Sequence, residues 1–188
     1  MSYDLYCYRS SSGVPSKTEA EATVDAFNAA EEAGTPSQTF ADKKEKLATA
    51  LIKHNPRLER FKFDYDKIAE SLKISEHEAR ERYQHVELNT PEGDLAVQLI
   101  VYDEHVDISI PYWYEGIKAD QVFSELSGYL RVIRQTAGFF AYDPQTAVAF
   151  DPVQTELRDH LQYDKVVRDL PNIAAHAAKQ GKPIWKFW

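Results

Sequence analysis

Two β-prone runs, residues 95–102 and 105–113, flank the pair Asp103-Glu104, and no other stretch limits the fold as tightly. With those two residues as the turn, Tyr102 faces His105, Val101 faces Val106, Leu99 faces Ile108 and Val97 faces Ile110. Side chains alternate across a strand, so Val97, Leu99, Val101, Val106, Ile108 and Ile110 share one side. Gln98, Tyr102, His105, Asp107 and Ser109 share the other. A slip of one residue would mix the two sets, so the pattern fixes the register. The weak point is the turn, because Asp-Glu lacks the glycine that two-residue hairpin turns favour.

The apolar side of that hairpin needs a cover, and the spacing of Val122, Phe123, Leu126, Tyr129, Leu130, Ile133 and Ala137 predicts a helix over 120–137 with one wide apolar stripe. Asp120 is its expected N-cap and Gly138 its C-cap. A second hairpin is expected from 139–142 and 147–150, joined by Asp143-Pro-Gln-Thr146 in a type I turn and buried on both faces. Upstream, residues 3–8 read as an aromatic-rich strand, and Ser16 with Glu19 as a capping box opening a helix that Gly34 stops. A second helix is expected from Phe40 to Lys53, a short extended piece over 58–63, a helical pair over 65–83 broken near Lys73-Ile74, and a strand over 84–89. Residues 151–188 read as a helical extension interrupted at Pro171. The expected fold is α+β, with one antiparallel sheet, helices packed on one face, and helical additions at both ends of a single domain over 1–188.

A chain of 188 residues can bury a sizeable core without a staple. The lone Cys7 forbids an intrachain disulfide and fits a reducing cytosol. The start carries no basic and apolar leader, and no apolar run approaches the ~20 residues of a membrane helix. A cytoplasmic location is the expectation. The net charge is −8, and residues 91–128, with eight acids and the single base Lys118, carry −7 of it. Nucleic acid and anionic membrane are poor partners for that segment, and a basic protein surface is a better one.

Chemical signatures are absent. The seven glycines lie at least ten residues apart, which leaves no phosphate-cradling loop. No G-x-S-x-G elbow occurs. His77-Glu-Ala-Arg-Glu81 has Glu81 where a zinc-protease helix needs its second histidine, so it reads as a solvated helix face. Asp103, Glu104, His105 and Asp107 offer hard oxygen and imidazole ligands near a turn but no ligand-loop spacing. As an acid/base pair, those carboxylates would need a pocket to separate their pKa values. Neither a metal nor a cofactor is expected. Cys7 reads as a small buried hydrophobe. An enzyme whose site is assembled from distant residues, such as His85, His105, Asp107 and Tyr112, is the first alternative; spacing does not speak to it.

Residues 66–83 resemble a DNA-binding helix-turn-helix through Ile68, Ala69, Leu72, Ile74, Ser75 and Ala79. Lys73 replaces the glycine favoured in the turn, and Glu76, Glu78 and Glu81 stand where phosphates would be met. A DNA-binding regulator is the second alternative. Tyr112, Trp113 and Tyr114 cannot all point inward from one strand, so at least one should lie outside or at the rim. Together with neighbouring acids they compose a candidate partner site of Asp103, Glu104, Asp107, Tyr112, Trp113 and Glu115, with Trp113 as anchor. Tyr3-Asp-Leu-Tyr6, Pro91-Glu-Gly-Asp94, Pro111-Tyr-Trp113 and Ala137 to Gln145 give the chain its wider likeness: it resembles small uncharacterised bacterial cytosolic proteins, some of which are similar to polymorphic-toxin immunity proteins. The resemblance implies a cytosolic, non-enzymatic, protein-binding role and carries no catalytic residues. The expected function is an acidic binding protein that neutralises a basic partner such as a toxin.

Overall fold

The period-2 runs assemble into a seven-stranded sheet in the computed structural model, which describes residues 2–33, 43–155 and 163–169. In chain order the elements are β1 (Ser2–Tyr8), α1 (Lys17–Glu32), α2 (Lys43–His54), β2 (Glu59–Arg60), α3 (Tyr65–Leu72), α4 (Glu76–Arg82), β3 (Val86–Asn89), β4 (Gln98–Val101), β5 (His105–Pro111), α5 (Ile117–Ala137), β6 (Phe140–Asp143) and β7 (Val148–Phe150). Residues 163–169 are helical as well. Strand order is β2-β3-β4-β5-β1-β6-β7, and each neighbouring pair is antiparallel. The fold is therefore α+β.

The central hairpin has the register its pattern dictates. Leu99 faces Ile108 and Val101 faces Val106, and the Tyr102 amide donates to the His105 carbonyl at 3.0 Å across the Asp103-Glu104 turn. The first strand is shorter than expected because residues before Gln98 leave the ladder for side-chain bonds. The Thr90 hydroxyl donates to the Leu95 carbonyl at 2.7 Å and accepts from the Val97 amide at 2.9 Å, and the Tyr114 hydroxyl accepts from the Ala96 amide. The N-terminal strand β1 is central, paired along its whole length with β5 and at its end with β6.

One face of the sheet is sealed by α2 and α5. Leu5, Cys7, Leu99, Val101, Val106 and Ile108 meet Leu47 and Leu51 of α2 and Val122, Leu126 and Ile133 of α5 in one buried cluster. Each such side chain removed from water contributes roughly 1.5–3 kcal/mol. Helix α5 starts at Ile117, three residues before the expected Asp120, because Gly116 at φ 53° turns the chain there without a side-chain cap. It ends at Gly138, φ 76°, whose amide donates to the Arg134 carbonyl at 3.0 Å. Close approach of α2 to α5 occurs at Gly128, where an added Cβ would stand 2.6 Å from His54 Nε2.

The opposite face also gains a helix, which the sequence reading places only on the apolar side. Tyr6 and Tyr8 alternate with Leu5 and Cys7 along β1, so bulky rings point away from the main core at the middle of the sheet. Ala20, Val24 and Phe27 of α1 pack on Tyr8, Tyr142, Tyr6 and Ala149 in a second, smaller cluster. The helical pair α3–α4 forms as expected, with Lys73 in the left-handed region (φ 57°). Arg80 and Arg82 on α4 are bound to Glu76 and Glu78 one turn earlier, at 2.5 and 2.8 Å. Of the helical extension expected over 151–188, residues 163–169 are helical; Pro171 and the terminal aromatics Trp185, Phe187 and Trp188 lie outside the described residues, as do Gly34 and Phe40. No helix among the described residues is long and apolar enough to cross a membrane.

Candidate functional site

Register carries polar residues into ordered rows across the second face. One row runs Glu87 on β3, Ile100 on β4, Asp107 on β5, Tyr6 on β1 and Tyr142 on β6. The next runs Asn89, Gln98, Ser109 and Asp4. Glu87, Gln98, Ile100, Asp107, Ser109, Asp4 and Tyr6 are all half-buried, so α1 covers this face only in part. Two of the carboxylates here, Asp4 and Glu87, have neutral partners. Asp4 accepts from the Ser109 hydroxyl at 2.6 Å and the Ser2 hydroxyl at 3.0 Å. Glu87 accepts from Gln98 Nε2 at 2.9 Å and Asn89 Nδ2 at 2.8 Å. Among the described residues, no lysine or arginine forms an ion pair with Asp4, Glu31, Glu87 or Asp107.

His105 and Asp107 form the centre. His105 is 8% exposed. Its ring lies between Phe27 of α1, centroids 4.0 Å apart and 10° from parallel, and Tyr102, 4.1 Å and 15°. Its Nε2 stands 3.8 Å from Asp107 Oδ1. The buried atoms His105 Nδ1 and Asp107 Oδ1 have no hydrogen-bond partner. Burial, and then the positive influence of His85, press the His105 imidazole down to about 4. Burial, and then the charges of Glu31 and Asp4, push the Asp107 carboxyl up to about 8. Near neutral pH the pair therefore consists of a protonated acid beside an uncharged imidazole.

Like charge spreads from that centre. Burial first, and Asp107 and Asp4 after it, push the Tyr6 phenol up to about 12. Burial followed by Glu31, Asp107 and Glu87 pushes Tyr102 up as well. Helix α1 ends in Glu31-Glu32 with no base in its last turn, so the negative end of its backbone dipole adds to the same field. His85, lowered chiefly by burial, continues the line of rings at 5.0 Å from Tyr102 and 5.0 Å from Phe63.

The six residues expected to form a partner site do not share a surface. Asp103 is buried; it accepts from the Lys44 amide at 3.0 Å and lies 3.5 Å from the Lys44 ammonium. Tyr112 is buried on the opposite, main-core side, stacked on Tyr163 at 5.0 Å. Neither can meet a partner, because α2 and the helical run at 163–169 supply cover that lies far off in sequence. Glu104 is half-buried at the turn, and Glu115 is exposed beside Trp113, which is 68% exposed at the end of β5. Asp107 alone of the six belongs to the acidic face. Asp4, Tyr6, Glu31 and Glu87 were not in the expected set; the alternation of β1 around Leu5 and Cys7 was the signal that could have placed Asp4 and Tyr6 there.

Of the residues weighed for a dispersed enzyme site, His85, His105 and Asp107 come to one face and Tyr112 goes to the other. Both faces of the His105 ring are covered, which leaves a substrate no approach to it. His85 instead lines a concavity of about 500 Å³ with Phe61, Phe63, Tyr65 and Tyr83. His77 meets Glu81 at 3.6 Å on the exposed side of α4, and no group of three metal-ligating side chains occurs among the described residues. No protein family, curated protein or solved structure matches the chain.

Proposed function

We propose that the chain is a non-catalytic protein-binding protein that docks a basic partner on the acidic second face of its sheet. Neutralising a toxin is the role that accords with the likeness to immunity proteins. The observation that carries the reading is the grouping of Asp4, Glu31, Glu87 and Asp107 around Tyr6 and Tyr102 with no lysine or arginine ion-paired to them among the described residues. Gathering like charges over a low-dielectric sheet costs stability, and an incoming cation removes that cost. Tyrosines beside the acids supply rigid contact area of the kind that anchors interfaces.

Isosteric substitution tests the reading. Asp4→Asn with Glu87→Gln keeps the local hydrogen-bonding shapes and removes two charges. Proteins captured by the natural chain should be basic, should be released as salt rises, and should be lost with the double variant. Capture that survives both the substitution and moderate salt overturns the assignment.

A further inference from the structure

The contact chemistry of that face follows from what surrounds Asp107, and it rests on the reading of the face as a docking surface. Asp107 Oδ1 is buried without a hydrogen bond, while the side chain as a whole keeps 21% of its exposure. His105, more than nine-tenths buried, directs Nε2 at Oδ1 from 3.8 Å and has its own Nδ1 unpartnered. The groups facing Asp107 are Asp4, Tyr6 and the buried Cys7 on β1, Glu31 on α1, Tyr102 and His105 at the hairpin turn, and Ile100 opposite on β4. None of them is a base that holds charge at neutral pH.

We infer that Asp107 is the seat for one arginine or lysine side chain of the basic partner, which takes the place of the proton on the carboxyl group. The carboxyl O–H bond breaks, the proton passes to solvent, and an N–H of the incoming cation donates to the carboxylate. The electron pair of the O–H bond stays on Asp107, so charge and atoms balance. An acid held at about 8 by burial, Glu31 and Asp4 is mostly protonated at pH 7, so binding there releases close to one proton. Affinity rises by about tenfold per pH unit until the acid is ionised without the ligand. The seat thereby discriminates against neutral side chains, which cannot displace a proton.

The probe is a nona-arginine peptide, titrated by calorimetry at pH 7 in phosphate and in Tris, whose ionisation heats differ. The difference between buffers gives the protons released. Release of nearly one proton by the natural chain, and of almost none by Asp107→Asn while it still binds, is the expected result. Glu31→Gln, at an exposed acid near the end of α1 whose charge helps hold the proton on Asp107, should lower the number released. Carbon-13 NMR of the Asp107 carboxyl needs no variant: its midpoint should fall by more than one pH unit when the peptide is added. Binding with no proton release, or with equal release from Asp107→Asn, overturns the inference and leaves the docking reading standing. Absence of binding at low salt overturns both.

Discussion

The Lys44 amide donates to the Asp103 carboxylate at 3.0 Å across 59 residues of chain, and its ammonium stands 3.5 Å from the other carboxylate oxygen. The contact fastens the first turn of α2 to the central hairpin and removes Asp103 from the surface. Asp103→Ala would leave the Lys44 amide and ammonium uncompensated, and should lower stability by about 3 kcal/mol in urea unfolding. Glu104→Ala, one residue on at the tip, should stay within about 0.5 kcal/mol.

Stability should fall as pH rises from about 6.5 to 8. The Asp107 carboxyl, raised to about 8 in the fold, contributes stability that is complete below its unfolded value near 3.9 and is lost as pH climbs toward 8. His105, lowered to about 4, contributes stability complete above its unfolded value near 6.5 and lost as pH falls toward 4. Between about 4 and 6.5 each state holds one proton on the pair, on the histidine when unfolded and on the aspartate when folded, so the two slopes cancel. Above 6.5 the folded state is increasingly the only one to keep that proton, and roughly 1 kcal/mol is lost by pH 8. Urea midpoints of the natural chain and Asp107→Asn, measured from pH 6 to 8.5, check this; the variant should hold level or rise slightly where the natural chain declines.

The α2–α5 crossing gives a conditional effect. Gly128→Ala would bring a Cβ within 2.6 Å of His54 Nε2 and displace a ring that meets Tyr129 edge-on at 5.9 Å. A loss of about 1 kcal/mol is expected. With His54→Ala already in place the clash is gone, and the same change should stabilise by about 0.5–1 kcal/mol through helix propensity. Thermal melts of the four proteins in this cycle measure the coupling.

Neighbours in sequence should respond in opposite ways at the end of β5. Tyr112 is buried against Tyr3 and Tyr163, and Tyr112→Ala should cost about 3 kcal/mol or more. Trp113, largely in solvent, should tolerate Trp113→Ser within about 0.5 kcal/mol. Equal losses from the two would show that the exposed indole is covered.

Local pattern made the sheet readable. Val97 to Ile110 alternate with period two, and turn and cap residues such as Ser75 and Gly138 act on backbone within a few positions of themselves. What failed to show was which acids meet bases. Asp103 looks like a solvated turn residue until Lys44 arrives from α2, and Asp107 looks like an open-face acid until Phe27 of α1 stacks on His105. The charge excess of residues 91–128 is real, but Asp94 and Glu125 share Arg57, at 2.8 and 3.4 Å. The unbalanced field sits where four distant segments converge, and only Asp107 and Glu87 of its carboxylates come from near the hairpin.

An amide NMR titration of the natural chain with nona-arginine at low salt tests the central claim most directly. Shifts confined to Asp4, Tyr6, Glu31, Glu87, Gln98 and Asp107, weakening as salt is added, are the outcome this account predicts. Shifts spread evenly over the surface, or gathered instead around Trp113 and Glu115, would contradict it.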